Sequence, residues 1–395
     1  MHVTTHLEES LDKRQLERLA RRIEAVEPQQ CRASESIRRE DPITGRLVTI
    51  NPLRAGRHFE VSREAPPKGT EREDCLFCTG RTPSTLFYFD KEGRLVIEEE
   101  SRSLDAAEEF WQQPERDTAR LADHYALVGA LGSLTLPVEW LSRTFFNLTP
   151  GLGANEPGNC YITSIHPDYH YRELPDVPTA VLDTVLASWQ VLERMAARDG
   201  LVAVPFINGG RRPESGQSVS CFHSQAYVVR TPWLFETIRA RRERRGCGVC
   251  EILRDRRFGI EQLGSRADVW LGAHPAPARN YSMLVTVQQP DGTCTAQMSD
   301  LSAPTRRAFA DALRLAAQIY RQIFGEVPAY NIAVRTGQPV GHLHAEIIPK
   351  TRTNVPAGFE DATFEFSLTE LPERFAELAR AEASSKLWML GSERR

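Results

Sequence analysis

The chain has 395 residues, of which 41% are hydrophobic and 26% are charged, a composition typical of a folded protein with a substantial core. Its formal net charge of −4 argues against a general nucleic-acid-binding surface, so we expect no nucleic-acid partner. No run of about 18 apolar residues is present and the polar N-terminal stretch lacks the apolar core of a secretory signal, so we expect a cytoplasmic protein without a membrane partner.

The first predicted element is an amphipathic helix within an N-terminal helical arm, residues 1–35. Such a helix is typical of packing or of dimer formation. After it comes the first of two CxxC pairs, formed by Cys75 and Cys78 in CLFC. Stable disulfides are rare in the cytoplasm, so this spacing indicates metal binding rather than a disulfide framework.

A series of strands and one helix follows this pair, as indicated by apolar residues at period 2 and at helical spacing. Turns and loops such as LPDVP and GRRPESGQ separate the elements. In chain order the predicted elements are a strand CYITSIHPDYH (160–170), a helix TAVLDTVLASWQVLERMAARDG (179–200), a strand VAVPFING (202–209) and a strand SCFHSQAYVV (220–229).

The last of these strands carries three polar residues, Cys221, His223 and Gln225, at every second position. Successive side chains of a strand point to opposite sides of the sheet, so all three lie on one face. A thiol, an imidazole and an amide together suit a site better than an apolar core. The strand therefore predicts a functional face.

The same order of elements returns after the second CxxC pair, CGVC. The pair consists of Cys247 and Cys250. After it the sequence predicts a strand (281–294), a helix (305–325) and two further strands (329–337 and 340–350). The final strand carries His342, His344 and Glu346 at every second position, as the first half carries its thiol, imidazole and amide. This self-similarity predicts a duplicated unit that a metal ion stabilises in each half.

Each half supplies four sulfur or nitrogen ligands and no carboxylate, which describes a closed, tetrahedral structural zinc site. The two sets are Cys75, Cys78, His170 and Cys221, and Cys247, Cys250, Cys294 and His342. At the first site His166 competes with His170. At the second site His274 competes with Cys294. We expect about two zinc ions per chain as cofactors.

Several segments together resemble one protein family. The stretch DPITGRLVTINPLRAGRHFE (41–60) is similar to the N-terminal signature of galactose-1-phosphate uridylyltransferases, and CLFCTGR, FFNLTP, FING, GQSVSCFHSQ and HLHAEIIPK follow in that family's order, over about residues 38–380. The resemblance implies an α+β, duplicated histidine-triad-like fold, whose two halves each hold an antiparallel sheet and a packed helix and are joined into one large sheet. We expect the first half at 36–235, the second at 236–380 and a C-terminal tail at 381–395.

Members of that family transfer a nucleoside monophosphate through a covalent histidine intermediate. The resemblance assigns His223 as the nucleophile and Gln225 as the amide that holds the α-phosphate. Residues that match the family's contacts to phosphates, nucleoside or sugar are Arg54, Arg57, Leu76, Phe77, Asn147, Phe206, Asn208, Ser218, Gly358, Phe359 and Glu360. The last three belong to a loop that in the family often reaches the sugar across a dimer, so we expect a homodimer.

Two residues depart from the family's H-P-H-[GS]-Q pattern, and a third, Ser224, is one of the two residues that the pattern allows at its position. Cys221 replaces the first His, which in the family is a zinc ligand, and cysteine keeps that role because it binds zinc well. Phe222 replaces the middle Pro, and Ser224 resembles the phosphorylase branch of the family. In the second half, His344 could be a relic of the nucleophile, a metal ligand or a structural residue.

The resemblance implies a nucleotidyltransferase that moves a nucleoside monophosphate from a nucleoside-diphosphate sugar to a sugar 1-phosphate or to inorganic phosphate through nucleotidyl-His223. Neutral imidazole suits this role near pH 7, because its unperturbed pKa is about 6.5. One alternative is a phosphorylase or hydrolase of dinucleoside polyphosphates. Another is a zinc-stabilised nucleotide-binding protein without turnover.

Overall fold

The computed structural model describes residues 12–30, 37–40, 47–50, 72, 75–80, 82, 85–97, 139–147, 157–170, 173–210, 213–265, 268–289, 292–351 and 370–392. The α-helices in these ranges are α1 (Lys13–Gln30), α2 (Thr179–Arg198), α3 (Trp233–Arg245), α4 (Gly248–Arg254), α5 (Ala303–Phe324) and α6 (Pro372–Ser392). None of them is long and apolar enough to cross a bilayer.

Thirteen strands occur in the same ranges. They are β1 (Ile37–Glu40), β2 (Leu47–Ile50), β3 (Phe87–Asp90), β4 (Leu95–Ile97), β5 (Trp140–Phe146), β6 (Gly158–Ile165), β7 (Val202–Gly209), β8 (His223–Val229), β9 (Gly259–Leu263), β10 (Val269–Ala273), β11 (Met283–Val287), β12 (Tyr330–Arg335) and β13 (His344–Pro349). β1 and β2 pair only with each other among the described strands.

The other strands form one eleven-stranded sheet in the order β4-β3-β5-β6-β8-β7-β12-β13-β11-β10-β9. Every pairing whose register is described is antiparallel. The prediction of an α+β fold with one large antiparallel sheet is therefore confirmed.

The chain divides into two compact units, each assembled from three segments. Unit 1 comprises Met1–Tyr171, Thr184–Pro205 and Ser218–Trp233. Unit 2 comprises Arg172–Asp183, Phe206–Gln217 and Leu234–Arg395. The predicted boundaries of the arm, the two halves and the tail stay predictions.

The core of unit 1 forms where helix α2 covers one face of its strands. Leu192 and Met195 of α2 belong to the same buried apolar cluster as Phe87, Phe89 and Phe146 of the strands. Apolar residues recur along α2 at helical spacing, and burying this stripe removes apolar surface from water. The helix thus fixes which face of the sheet is core.

Strand β8 presents different chemistry on its two faces. Ser224 and Ala226 are buried toward α2, and the Ser224 Oγ accepts a hydrogen bond of 3.1 Å from the Trp189 Nε1–H of that helix. His223 and Gln225 alternate with them and therefore occupy the opposite face. The position of α2 leaves the functional face of β8 free of the helical layer.

Helix α5 is the central helix of unit 2 and packs against β10 and β11. The Oγ of Ser302 accepts a hydrogen bond from the Thr305 backbone N–H and so caps its first turn. The helix ends at Phe324, and Gly325 caps it with a φ of 78°, a left-handed conformation that glycine adopts without strain. These two signals set the ends of the helix.

A buried ion pair anchors α5 within unit 2. The Arg306 guanidinium donates from Nε to Asp183 Oδ1 at 2.7 Å and from Nη2 to Asp183 Oδ2 at 3.1 Å. The two side chains are 1% and 0% exposed. The bidentate geometry offsets the cost of removing both charges from water.

The two predicted central helices agree with the structure to within two residues at each end, and the strand predicted at 202–209 coincides with β7, whereas the other predicted strands extend too far. The strand predicted at 160–170 ends at Ile165, because Pro167 begins a short 3-10 turn that the His166 side chain caps. The strand predicted at 281–294 is reduced to β11 and an isolated bridge between Gln288 and Cys294.

Candidate active site and metal centres

The first predicted metal-ligand set comes together in unit 1. The ligand atoms of Cys75, Cys78, His170 and Cys221 all lie within 4.8 Å of one another. The Cys78 Sγ lies 3.0 Å from the His170 Nδ1 and 3.8 Å from the Cys221 Sγ. Three sulfurs and one imidazole nitrogen at these separations match the donor set of a tetrahedral structural site.

This cluster, which we call cluster 1, is enclosed by apolar side chains. Phe77, Phe145 and Val219 are buried around its cysteines, and Leu76 packs against the same group. Hydrogen bonds from the thiols of Cys221 and Cys78 lower the pKa of Cys75 to about 2. The contacts with Cys75 and Cys78, together with burial, raise the pKa of Cys221, so the cluster by itself stabilises one thiolate and a bound divalent cation would stabilise the others.

The second predicted set comes together in unit 2 and forms cluster 2. The ligand atoms of Cys247, Cys250, Cys294 and His342 also lie within 4.8 Å of one another. The Cys250 Sγ lies 3.3 Å from the Cys294 Sγ and 3.4 Å from the His342 Nδ1. The described residues thus hold two Cys3His clusters, each able to bind one metal ion.

The orientation of His342 shows that cluster 2 fits a metal ion. Its Nε2 lies 3.0 Å from the backbone oxygen of Val287, which can only accept, so Nε2 carries the proton. Nδ1 then presents its lone pair to the thiols of cluster 2. A backbone carbonyl that fixes the tautomer in this way is the usual outer partner of a metal-binding histidine.

The two competing histidines lie outside the clusters. The Nδ1 of His166 accepts from the Asp168 backbone N–H at 3.2 Å, and the Nδ1 of His274 accepts from the Ala276 backbone N–H at 3.1 Å. Each side chain thus closes its own local turn. Cys160 is buried on β6 outside both clusters, and Cys31 lies outside the described residues.

His223 is the first residue of β8, two positions after the cluster 1 ligand Cys221. Its Nδ1 lies 2.8 Å from the Cys221 backbone oxygen, so Nδ1 donates the proton and Nε2 keeps its lone pair. Its side chain is 4% exposed, and this burial lowers the pKa of His223. The imidazole is therefore neutral at pH 7, with a nucleophilic nitrogen at Nε2.

Phe77 packs edge-to-face on the His223 ring, with centroids 5.0 Å apart and planes at 78°. The Phe77 carbonyl accepts a hydrogen bond of 3.2 Å from the Nη2 of Arg143, which is 1% exposed on β5. The Arg143 guanidinium also lies 4.9 Å from the centre of the Phe145 ring. Arg143 thus supports the residue that holds the imidazole, a role that sequence reasoning missed.

Gln225 lies on the same face of β8, next to the predicted nucleoside contact Asn147. The Asn147 Nδ2 donates to the Gln225 Oε1 at 3.3 Å, and the Cys160 thiol lies 4.0 Å from the same oxygen. With Oε1 engaged as an acceptor, no described residue accepts from the Gln225 amide nitrogen. The two N–H donors of Gln225 are therefore available to an anionic ligand.

Other predicted contact residues lie apart from this group in the chain. Phe206 and Asn208 are half-buried on one face of β7, in the unit 2 segment of that strand. Asn331 of β12, directly opposite Asn208, donates to the Asn208 Oδ1 and to the Ser215 backbone oxygen, both at 2.7 Å. Sequence reasoning missed Asn331, although its place beside the FING motif in the sheet orients Asn208.

Ser218 is half-buried five residues before His223, where the loop leads into β8. Five further predicted contacts, which the family uses for phosphates and sugar, lie outside the described residues. They are Arg54, Arg57, Gly358, Phe359 and Glu360. Their roles stay predictions.

The corresponding position of unit 2 holds His344 in the same local geometry as His223. Its Nδ1 lies 2.8 Å from the backbone oxygen of His342, the cluster 2 ligand two residues before it. Glu346 replaces the amide, and its carboxylate accepts from the Arg335 Nη1 at 3.0 Å. Burial, with Arg335 nearby, lowers the pKa of His344 to about 3.

Comparison with known proteins identifies the fold. No family model and no curated protein sequence matches the chain. A uridylyltransferase structure aligns over 89% of this chain and 99% of its own, with 17% identity and a TM-score of 0.59. An ADP-glucose phosphorylase from Arabidopsis thaliana with bound ADP-glucose aligns over 87% and 98%, with 19% identity and a TM-score of 0.56.

A galt-like protein from Arabidopsis thaliana aligns over 87% of this chain and 98% of its own, with 19% identity and a TM-score of 0.55. At such identities a structural likeness establishes the fold and leaves the substrate open. The resemblance to uridylyltransferases expected from the motifs is confirmed at this level. The chain has the fold that these uridylyltransferases and this ADP-glucose phosphorylase share.

Proposed function

We propose that this protein is a nucleotidyltransferase that moves a nucleoside monophosphate from a nucleoside-diphosphate sugar to a sugar 1-phosphate or to inorganic phosphate. The transfer passes through a covalent bond between phosphorus and the Nε2 of His223. The shared fold supports nucleotidyl transfer in general, and the ADP-glucose bound by the phosphorylase supports a nucleotide sugar as the donor.

The observation that carries this proposal is the state of the His223 imidazole. Its Nδ1–H is engaged by the Cys221 carbonyl, so the lone pair is on Nε2. A buried, neutral imidazole held in one tautomer can attack phosphorus without first losing a proton. A histidine with only a structural role would not need a free Nε2 beside an amide with free N–H donors.

The chemistry balances in two steps. In the first, the Nε2 lone pair of His223 forms a bond to the α-phosphorus, and the bond from that phosphorus to the bridging oxygen breaks. The sugar 1-phosphate leaves with the electron pair of that bond. In the second, a phosphate oxygen of the acceptor attacks the same phosphorus, and the bond to Nε2 breaks, which restores neutral His223.

Gln225 stabilises the phosphoryl oxygens in both steps. Negative charge develops on these oxygens in the transition state, and preorganised N–H donors lower its energy most effectively in a site that excludes water. Asn147 fixes Gln225 through its Oε1, so the donors need not reorient. Arg54 and Arg57 are proposed to add guanidinium donors to the same phosphates, since a guanidinium binds two oxygens at once.

Each cluster is proposed to hold one zinc ion in a structural role, and zinc supplies no step of the reaction. The donor sets favour zinc, which binds three thiolates and one imidazole in closed structural sites. Cluster 1 holds Cys221, whose carbonyl holds His223. The ion would thus fix the direction of the nucleophile from two residues away.

Three further features belong to the proposal. The protein acts as a homodimer, since the loop with Phe359 and Glu360 resembles one that reaches the sugar across a dimer in the family. It works in the cytoplasm, where the thiols of both clusters stay reduced. Its two halves descend from one duplicated histidine-triad-like unit, which the matching geometry of His223 and His344 supports.

The test is intact mass after incubation with UDP-glucose, ADP-glucose or diadenosine tetraphosphate. We expect an increase equal to one nucleoside monophosphate with a nucleotide sugar, lost in His223→Ala and kept in the matched variant His344→Ala. An adduct only with diadenosine tetraphosphate would replace the proposal with cleavage of dinucleoside polyphosphates. Ligand binding without any adduct would identify a nucleotide-binding protein, and an adduct that survives in His223→Ala would refute the nucleophile.

A further inference from the structure

Unit 2 contains a cavity of about 550 Å³ beside cluster 2, within the size range of small-molecule sites. Its walls are partly apolar, with Phe258, Leu284 and Val340 among the lining residues. His344, the counterpart of the proposed nucleophile, also lines it. The proposed transfer at His223 makes no use of this cavity.

Two guanidinium groups give the cavity a positive side. Arg241 and Arg242 of α3 line it, and no described carboxylate forms an ion pair with either. Arg242 packs directly on Gly341, where a Cβ would overlap its guanidinium and where φ is +70°. Two guanidinium groups without a carboxylate partner among the described residues, at a concave surface, are a typical phosphate-binding arrangement.

The acidic residues around the cavity do not cancel this charge. Asp255 lines the cavity, but it accepts from the Arg257 side chain at 2.6 Å and is thereby neutralised. Glu251 is exposed on α4. Among the side chains that line the cavity, two guanidinium groups thus face one unneutralised carboxylate. Cluster 2 adjoins the cavity and would carry a net charge of −1 with zinc on three thiolates, so the positive charge is local to Arg241 and Arg242.

The two imidazoles of the cavity provide one acceptor and one donor. His344 donates from Nδ1 to the His342 backbone oxygen, so its Nε2 is an acceptor. His274 accepts at Nδ1 from the Ala276 backbone N–H, so its neutral form carries the proton on Nε2. A ligand that bonds to both imidazoles needs hydroxyl groups, which can donate and accept, in addition to the anionic group that the two guanidinium groups favour.

We propose that this cavity is a second binding site, for a phosphorylated sugar or a nucleoside phosphate. The phosphate binds to Arg241 and Arg242, a hydroxyl group donates to the Nε2 of His344, and the ring packs on the apolar wall. Both ligand classes share a phosphate close to ring hydroxyls. The site binds without transfer, because the carboxylate of Glu346 stands where the first site has the amide of Gln225.

The test is hydrogen–deuterium exchange of the full chain with glucose 1-phosphate, uridine monophosphate or inorganic phosphate. We expect glucose 1-phosphate or uridine monophosphate to slow exchange in segments 238–252 and 340–344. Inorganic phosphate should act at least about tenfold more weakly, since it lacks the ring hydroxyls. Equal protection by all three would refute the hydroxyl contact, and no protection by any would refute the site.

The variant Arg241→Ala/Arg242→Ala should lower the affinity of the cavity for the ligand by about tenfold or more, since a hydrogen bond to a charged group contributes at least that much. The control Arg244→Ala/Arg245→Ala removes the same charge from α3 outside the cavity and should change nothing. Ala276→Trp adds a large side chain at the exposed mouth of the cavity and should abolish protection by blocking entry, while the metal content stays unchanged. Protection that persists in Ala276→Trp, or is lost equally in the control, would overturn the proposal.

Exchange in segment 220–229 reports separately on the site of His223. Protection in unit 2 without an adduct on His223 would support the cavity and refute the transfer. An adduct on His223 without protection in unit 2 would support the transfer and refute the cavity as a binding site.

Discussion

Gln225 and Asn147 are expected to act on the reacting phosphate as one unit, since the amide of Asn147 donates to the Oε1 of Gln225. Gln225→Ala removes the donors proposed to stabilise the phosphoryl oxygens. Asn147→Ala leaves those donors in place and removes only the bond that fixes them. If Asn147 acts solely through Gln225, its loss has no effect on the rate once Gln225 is absent.

The expected magnitudes follow from the two kinds of contact. Losing a preorganised donor to developing charge slows a step by about 10²- to 10³-fold, so we expect this factor for Gln225→Ala. The bond from Asn147 is neutral and long at 3.3 Å, which gives it about 1 kcal/mol at most, or roughly fivefold in rate. The double variant should react as slowly as Gln225→Ala alone.

The assay is the single-turnover rate of adduct formation at saturating nucleotide sugar, followed by rapid-quench intact mass. Saturation separates the rate of the step from any loss of nucleoside affinity in Asn147→Ala. The metal content of each variant serves as the control for folding of cluster 1. A double variant about fivefold slower than Gln225→Ala would refute the reasoning, because Asn147 would then stabilise the transition state independently of Gln225.

Two further predictions concern metal and stability. Elemental analysis should find about two zinc ions per chain; Cys78→Ser should remove one and lower the melting temperature, and Cys160→Ser should keep both. Zinc-free wild-type protein would contradict this. Arg306→Ala should lower the free energy of unfolding by about 3–5 kcal/mol, because it leaves Asp183 charged and fully buried. The control Arg307→Ala, 38% exposed and 3.8 Å from Asp183, should cost about 1 kcal/mol or less by urea denaturation; equal losses would refute the buried-charge argument.

The sequence predicted the central helices and the ligand sets well, because both leave local, repeated signals. Helix α2 follows from apolar residues at helical spacing, and the repeated order of CxxC, strand, helix and strand pointed to His170 over His166. Strands β1, β2, β3, β4, β5, β9 and β10 were missed, since they lie outside the segments that repeat. Helix α3 was missed for another reason: most of its residues are charged, so it has no apolar stripe.

Pairings between distant segments explain the site residues that sequence reasoning missed. Arg143 looks like an interruption of an apolar strand, and only the fold shows that it donates to the carbonyl of Phe77. Asn331 gains its role from standing opposite Asn208 in the sheet, a register that no local pattern specifies. His223 itself was found because its neighbours alternate on one strand.

Unit 2 is assembled from three separate segments of the chain, and this limits where the gene could be split into two fragments. Asp183 and Asn208 come from segments encoded before residue 217, yet their partners Arg306 and Asn331 are encoded after residue 300. A split between residues 235 and 236, which the predicted halves would suggest, separates Arg306 from Asp183 and Asn331 from Asn208. Neither fragment would then be an independent folding module, so the two units depend on one uninterrupted reading frame.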